Sequence, residues 1–236
     1  MPPDTLDEVV DKMGPLIEIV PKFEPGTLWT AQQHMNARRT EPDQEKRKDL
    51  KNRWYWTYDS ALYSVEKDKG AFYLGRGNLI FDNLAEAVQQ LQLNQNYRPG
   101  EEAANAFKRA PDTVRAALDD LKLRKLYDEL SYFVINTSKG REGLNPAQVI
   151  VAERPYGQAE DFENNMKMLL DSGIQETRVW ILNPNYVKQM AAKEPIARGS
   201  WLGSSADDFV FDAVGNLVGF PYAVVRGKVY KAAETN

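Results

Sequence analysis

No stretch of this chain holds more than four consecutive apolar residues; residues 149–152 and 179–182 are two such runs. A helix that crosses a bilayer needs about 20, so no segment can cross a membrane as a helix. The core has to be assembled from short strands and one-sided helices supplied by many parts of the sequence. The 236 residues suffice for one large domain or two small ones. No clean linker divides them, so a single domain over residues 1–236 is expected. The N-terminal stretch MPPDTLDEVVDKMG is acidic and lacks the apolar part of a signal peptide. A cytoplasmic or virion-associated protein is the expectation.

The local patterns mix two periods. Asp4 can cap a short helix over Leu6, Val9, Val10 and Met13, and Leu16 to Val20 alternate as a strand. Residues 36–52 are almost purely polar and read as a solvated loop or exposed helix. AFYLGRGNLIFD reads as two strands around residues 75–78. Residues 82–130 read as mainly helical, with Asp82 and Asp112 as caps. YFVINT, AQVIVAE and TRVWILNP read as strands, residues 159–172 as a helix stopped at Gly173, and NYVKQMAAK as one or two helical turns. From Trp201 the pattern is a β-meander with strands near 208–212, 217–225 and 228–231. The fold class is α+β, with a part rich in helix over about 1–130 and a part rich in sheet over about 131–236.

Several chemistries are excluded. There is no cysteine, hence no disulfide, thiolate zinc site or cysteine nucleophile. His34 is the only histidine and lies in a polar stretch without a triad pattern, which suits a structural or exposed role. The glycines of GRGNL lack the third glycine and the helix of a dinucleotide site. No cofactor is expected. Net charge of −4 argues against nucleic acid. The basic and aromatic stretch EKRKDLKNRWYWTYD is interrupted by Glu45, Asp49 and Asp59, and suits a core or an assembly contact better than a single strand. Asp207, Asp208 and Asp212 form the best acidic cluster, of a kind that could hold Mg²⁺ or Ca²⁺. Glu153 and Arg154 of ERPYG read as a strand end, where an ion pair is the simpler role.

Residues 203–222, GSSADDFVFDAVGNLVGFPY, contain no Lys, Arg, Glu, Gln, Met or Trp. Five of those types, all except Arg, share a property of the genetic code: no codon ending in a pyrimidine encodes them. A β-meander disfavours long charged side chains, which accounts for missing Lys and Glu. It accounts less well for the abundance of Gly, Ser, Asp, Asn and Pro.

The flanks of that window, IARGSWL before it and AVVRG after it, resemble the C-terminal region of variable proteins of diversity-generating retroelements. These are similar to the formylglycine-generating-enzyme type of C-type-lectin fold. Enzymes of that superfamily share the RGSW element, but their catalytic cysteines are absent here. The chain also has VGFPYAVVRG where GFR is the usual ending. The resemblance implies a C-type-lectin-like domain with a helical middle segment and a C-terminal antiparallel meander. It implies a rigid framework at Arg198 to Leu202, with Trp201 buried, and at Ala223 to Gly227. It implies that adenine-directed mutagenesis rewrites the codons between, and that the rewritten side chains bind a macromolecule, a protein or cell-surface target. The contact residues so implied are Gly203, Ser204, Ala206, Asp207, Asp208, Phe209, Asp212, Val214, Asn216, Leu217, Gly219, Phe220, Pro221 and Tyr222. Two other functions remain open. One is a metal-dependent hydrolase using Asp207, Asp208 and Asp212 with Glu153. The other is a structural or assembly subunit, a viral one included, joined through the aromatic cluster at 54–63.

Overall fold

A computed structural model describes residues 29–44, 47, 55–77, 79–80, 86, 90, 96–205 and 208–215. Thr30 opens helix α1 (Ala31–Thr40): its hydroxyl accepts from Gln33 N, and the Gln33 side chain accepts from Thr30 N in return. Strands β1 (Tyr55–Glu66) and β2 (Lys69–Arg76) form a hairpin closed by the pair Glu66 and Lys69. Lys67 and Asp68 both take positive φ there, 49° and 63°, as a two-residue turn that matches strand twist requires. Helix α2 (Gly100–Arg109) carries Glu101 and Glu102 in its first turn and Lys108 and Arg109 in its last, complementing its dipole. Then come β3 (Val114–Ala117), a 3-10 turn, β4 (Arg124–Lys125) and β5 (Leu130–Asn136).

Helix α3 (Pro146–Tyr156) begins with Asn145 and Gln148 in the same reciprocal cap seen at α1, and with Pro146 in its first turn. Helix α4 (Ala159–Asp171) buries Phe162, Met166 and Leu169 and stops at Gly173, whose φ of +87° lets the chain turn back. Strand β6 (Glu176–Leu182), helix α5 (Pro184–Met190), β7 (Ile196–Ser205) and β8 (Asp208–Gly215) complete the described chain.

The eight strands form one sheet in the order β3-β2-β1-β7-β8-β6-β5-β4, in which β6 and β8 alone run parallel. The chain therefore zigzags out along β1 and β2, returns through β7, and inserts β8 at the middle. Helices α1, α3 and α4 pack against one another and the sheet. The Tyr156 ring meets that of Phe162 edge-on at 6.0 Å, while Phe72, Phe133, Ile135 and Ile181 fill the core beneath. His34 is buried in α1 with Trp29 edge-on at 5.2 Å. Among the described residues no helix is long and apolar enough to cross a membrane.

The expected β5, α4, β6 and α5 are present. Other expectations differ, among them the second strand after residues 75–78, where Leu79 and Ile80 lie in a turn. AQVIVAE is not a strand but part of α3, so Glu153 and Arg154 lie on a helix. The segment opened by Asp112 is not a helix: it holds β3, a single 3-10 turn and β4, and β3 pairs with the edge of β2. β1 and β2 also place a long hairpin in the part expected to be rich in helix. The expected helix at 4–13 and the strands at 16–20, 217–225 and 228–231 lie outside the described residues.

Candidate ligand-binding face

β7 and β8 form a hairpin in which Ser205 pairs with Asp208, leaving Ala206 and Asp207 as the two residues between them. The other edge of β8 is taken by β6, with Thr177 opposite Phe209 and Trp180 opposite Asp212. A strand with a neighbour on each edge and cover on both faces has no outward side. From Phe209 to Val214 no residue is more than 8% exposed. Phe209, Asp212 and Val214, implied as contact residues, are therefore interior, and Gly203 in β7 is buried as well. Both Val210 and Phe211 point into packed surroundings, on opposite faces of the strand. Ser204 and Asp208 take part in the hairpin ladder through their backbones. Ala206, Asp207, Asn216, Leu217, Gly219, Phe220, Pro221 and Tyr222 lie outside the described residues.

Trp201 is buried, as the resemblance implies, and Arg198, Ser200 and Leu202 beside it are interior too. Arg198 donates through Nη2 to Asn96 Oδ1, and Asn96 Nδ2 donates to the Tyr186 hydroxyl at 3.3 Å. Burial pulls the Arg198 guanidinium below its ordinary value. Asp212 accepts from Val214 N at 2.6 Å. Burial pushes its carboxyl up to about 7, against the pull of that bond and of the Arg198 charge. A carboxyl sealed in the core, with its oxygen engaged by Val214 N, is poorly placed to meet a hydrated divalent ion. Glu153, the other acidic residue of the hydrolase reading, is bound to Arg141 at 2.6 Å. Among the described residues no three His, Cys, Asp or Glu side chains gather as a metal site.

Side chains outside the implied contact set tie the hairpin to the rest. The Tyr63 hydroxyl donates to Ala213 O at 2.9 Å and accepts from Leu182 N at 3.3 Å, joining β1, β8 and β6. Ser200 Oγ donates to Asp59 O at 2.7 Å, and the Asp59 carboxylate accepts from Ala31 N at 2.6 Å, so the RGSW serine is linked through β1 to the start of α1. Burial raises the Asp59 carboxyl to about 6. Arg38, on the same helix, stands over Phe209. The available signal was Asp59 itself, one acidic residue inside the aromatic run WYWTYDSALYSV.

This arrangement is that of a C-type lectin fold. The described sheet and helices resemble a C-type lectin fold protein from Nanoarchaeota, in which that fold accommodates massive sequence variation; the match has a TM-score of 0.53 and 12% identity, and covers 84% of this chain and 87% of the other. No protein-family profile matches the chain, and no curated protein matches it.

Proposed function

We propose that this chain is a ligand-binding display protein: a C-type-lectin-like scaffold that presents a changeable surface to a protein or cell-surface target. The observation that carries the reading is the fold shared with a protein in which the same fold accommodates massive sequence variation. Packing narrows where such a surface can lie. Residues 209–214 are core, and core positions feel even a methylene of volume change. The changeable positions are therefore assigned to residues 204–208, where β7 passes into β8, and to residues 216–222 beyond the buried strand. Ser, Asp, Asn, Gly, Phe and Tyr dominate these positions. Such residues combine large aromatic contacts with adaptable hydrogen bonding, as in antibody loops.

Sequencing closely related copies of the gene tests the proposal. Differences should concentrate in the codons of 204–208 and 216–222, with 209–214 constant, and an adenine-rich near-copy of those codons should lie close to the gene. Differences spread evenly along the chain would overturn it.

A further inference from the structure

At the β2 side of the sheet a cavity of about 510 Å³ opens between α1, β2, β3, α3 and the start of α4. Arg76 and Arg154 line it, with Val114 and Ile150 as an apolar wall. Its carboxylates are mostly engaged. Glu153 is held by Arg141 at 2.6 Å and Asp161 by Arg39 at 2.8 Å. Asp112 is shared: its Oδ2 lies 2.9 Å from Arg154 Nη2 and 3.7 Å from Arg76 Nε. The buried Asp59 carboxylate feels the charge of both Arg76 and Arg154 while accepting from Ala31 N.

Across this network, Arg76 and Arg154 at the cavity and Arg39 and Arg141 behind its carboxylates, four arginines meet four carboxylates and charge balances. Hydrogen bonding does not. A guanidinium carries five N–H donors. Arg154 Nε and Nη2, Arg39 Nη1 and Arg141 Nε are buried without a hydrogen-bond acceptor; the short approach of Arg154 Nη2 to Asp112 is not aligned as a hydrogen bond. Such unmatched buried donors are rare in folded proteins. Two of them belong to Arg154, which lines a cavity whose volume suits a small ligand.

We propose that this cavity binds a carboxylate group between Arg76 and Arg154, with Asp112 as its internal placeholder. A planar guanidinium fork matches a carboxylate's two oxygens better than it matches one shared oxygen. Asp112 sits in the loop between α2 and β3, 38% exposed, where it can give way. Val114 and Ile150 take the apolar remainder of the ligand. The site is separate from the β7–β8 turn, so it stands or falls independently of the display reading.

Titration calorimetry of the full chain at low salt tests this, with succinate in one arm and a short peptide of Asp and Glu residues in the other. Saturable one-to-one binding is expected. Arg76→Gln should weaken it at least tenfold, Arg154→Gln likewise, and Asp112→Asn should strengthen it several-fold by freeing both arginines. Arg76 and Asp112 are partly exposed, so these two variants decide the matter even if Arg154→Gln fails to fold. Binding of succinate assigns the site to a free acid, and binding of the peptide alone assigns it to an acidic side chain of a partner. Binding of neither, or binding unchanged by Arg76→Gln and Asp112→Asn, overturns the proposal.

Discussion

The guanidinium carbon of Arg38 in α1 lies 4.7 Å from the centre of the Phe209 ring in β8, and the Tyr156 ring of α3 lies 6.3 Å from the same centre. Two helices thus converge on one residue of the strand that leads out of the hairpin. Phe209→Ala is expected to destabilise the protein by about 3–5 kcal/mol, the usual range for emptying a buried phenylalanine site. Thermal or urea unfolding measures it. A loss under 1 kcal/mol would mean that position 209 is free to vary.

Asp212 and Asp59 predict a pH dependence of stability. Burial raises both carboxyls, to about 7 and about 6, against roughly 3.9 in an unfolded chain. A raised folded-state value means that the native state holds the proton more tightly. The associated stability is fully present below about pH 4 and is lost as pH rises, through about 6 for Asp59 and about 7 for Asp212. These two groups should make the urea midpoint fall between pH 4 and pH 7, beyond what the other carboxylates contribute. Asp212→Asn keeps an acceptor for Val214 N and should flatten the upper part of that slope. An unchanged slope in the variant would count against a buried, proton-holding Asp212.

Asn96 is the hydrogen-bond acceptor for a buried guanidinium, that of Arg198. Asn96→Ala leaves Arg198 Nη2 without it and should cost about 1.5–3 kcal/mol, the range for a hydrogen bond to a charged group. Asn96→Asp, which restores an acceptor and adds a countercharge, should recover part of the loss. Chemical denaturation of the two variants side by side checks the ordering.

Replacement at the β7–β8 turn should behave differently. Exchanging Ala206 and Asp207 for other small or polar residues is expected to change stability by no more than about 0.5 kcal/mol, as the display reading requires of positions that are free to vary. A library randomised at 204–208, scored by the fraction that stays folded, provides the measurement. Widespread unfolding would remove the turn from the display surface.

Gly157, between α3 and α4, has φ of +88°, and a Cβ there would meet Asp161 Cβ at 2.8 Å. Gly157→Ala should therefore destabilise by about 1–3 kcal/mol through backbone strain and crowding. A melting curve no lower than that of the parent protein would show that the α3–α4 turn adjusts freely.

The sequence by itself determined the elements whose signals are local and unopposed. α4 has its apolar face and a stopping glycine, β5 and β6 have apolar runs of strand length, and the RGSW segment has the buried Trp201 that its resemblance implied. It also carried a signal that the strand reading of AQVIVAE passed over: Asn145, Pro146 and Gln148 spell a helix cap, whereas a short apolar run such as residues 149–152 fits helix and strand alike. Tertiary structure decided the rest. Asp112 is a good cap by type, but the edge of β2 offered backbone partners to residues 114–117, and pairing overrode the local preference. Most consequentially, the pattern FVFDAV does not tell a strand with one wet face from one enclosed on both. Only the insertion of β8 between β7 and β6, under α1 and α3, makes every side chain from Phe209 to Val214 interior. Burial of a strand is a property of its neighbours, and a chain's own residues do not name them.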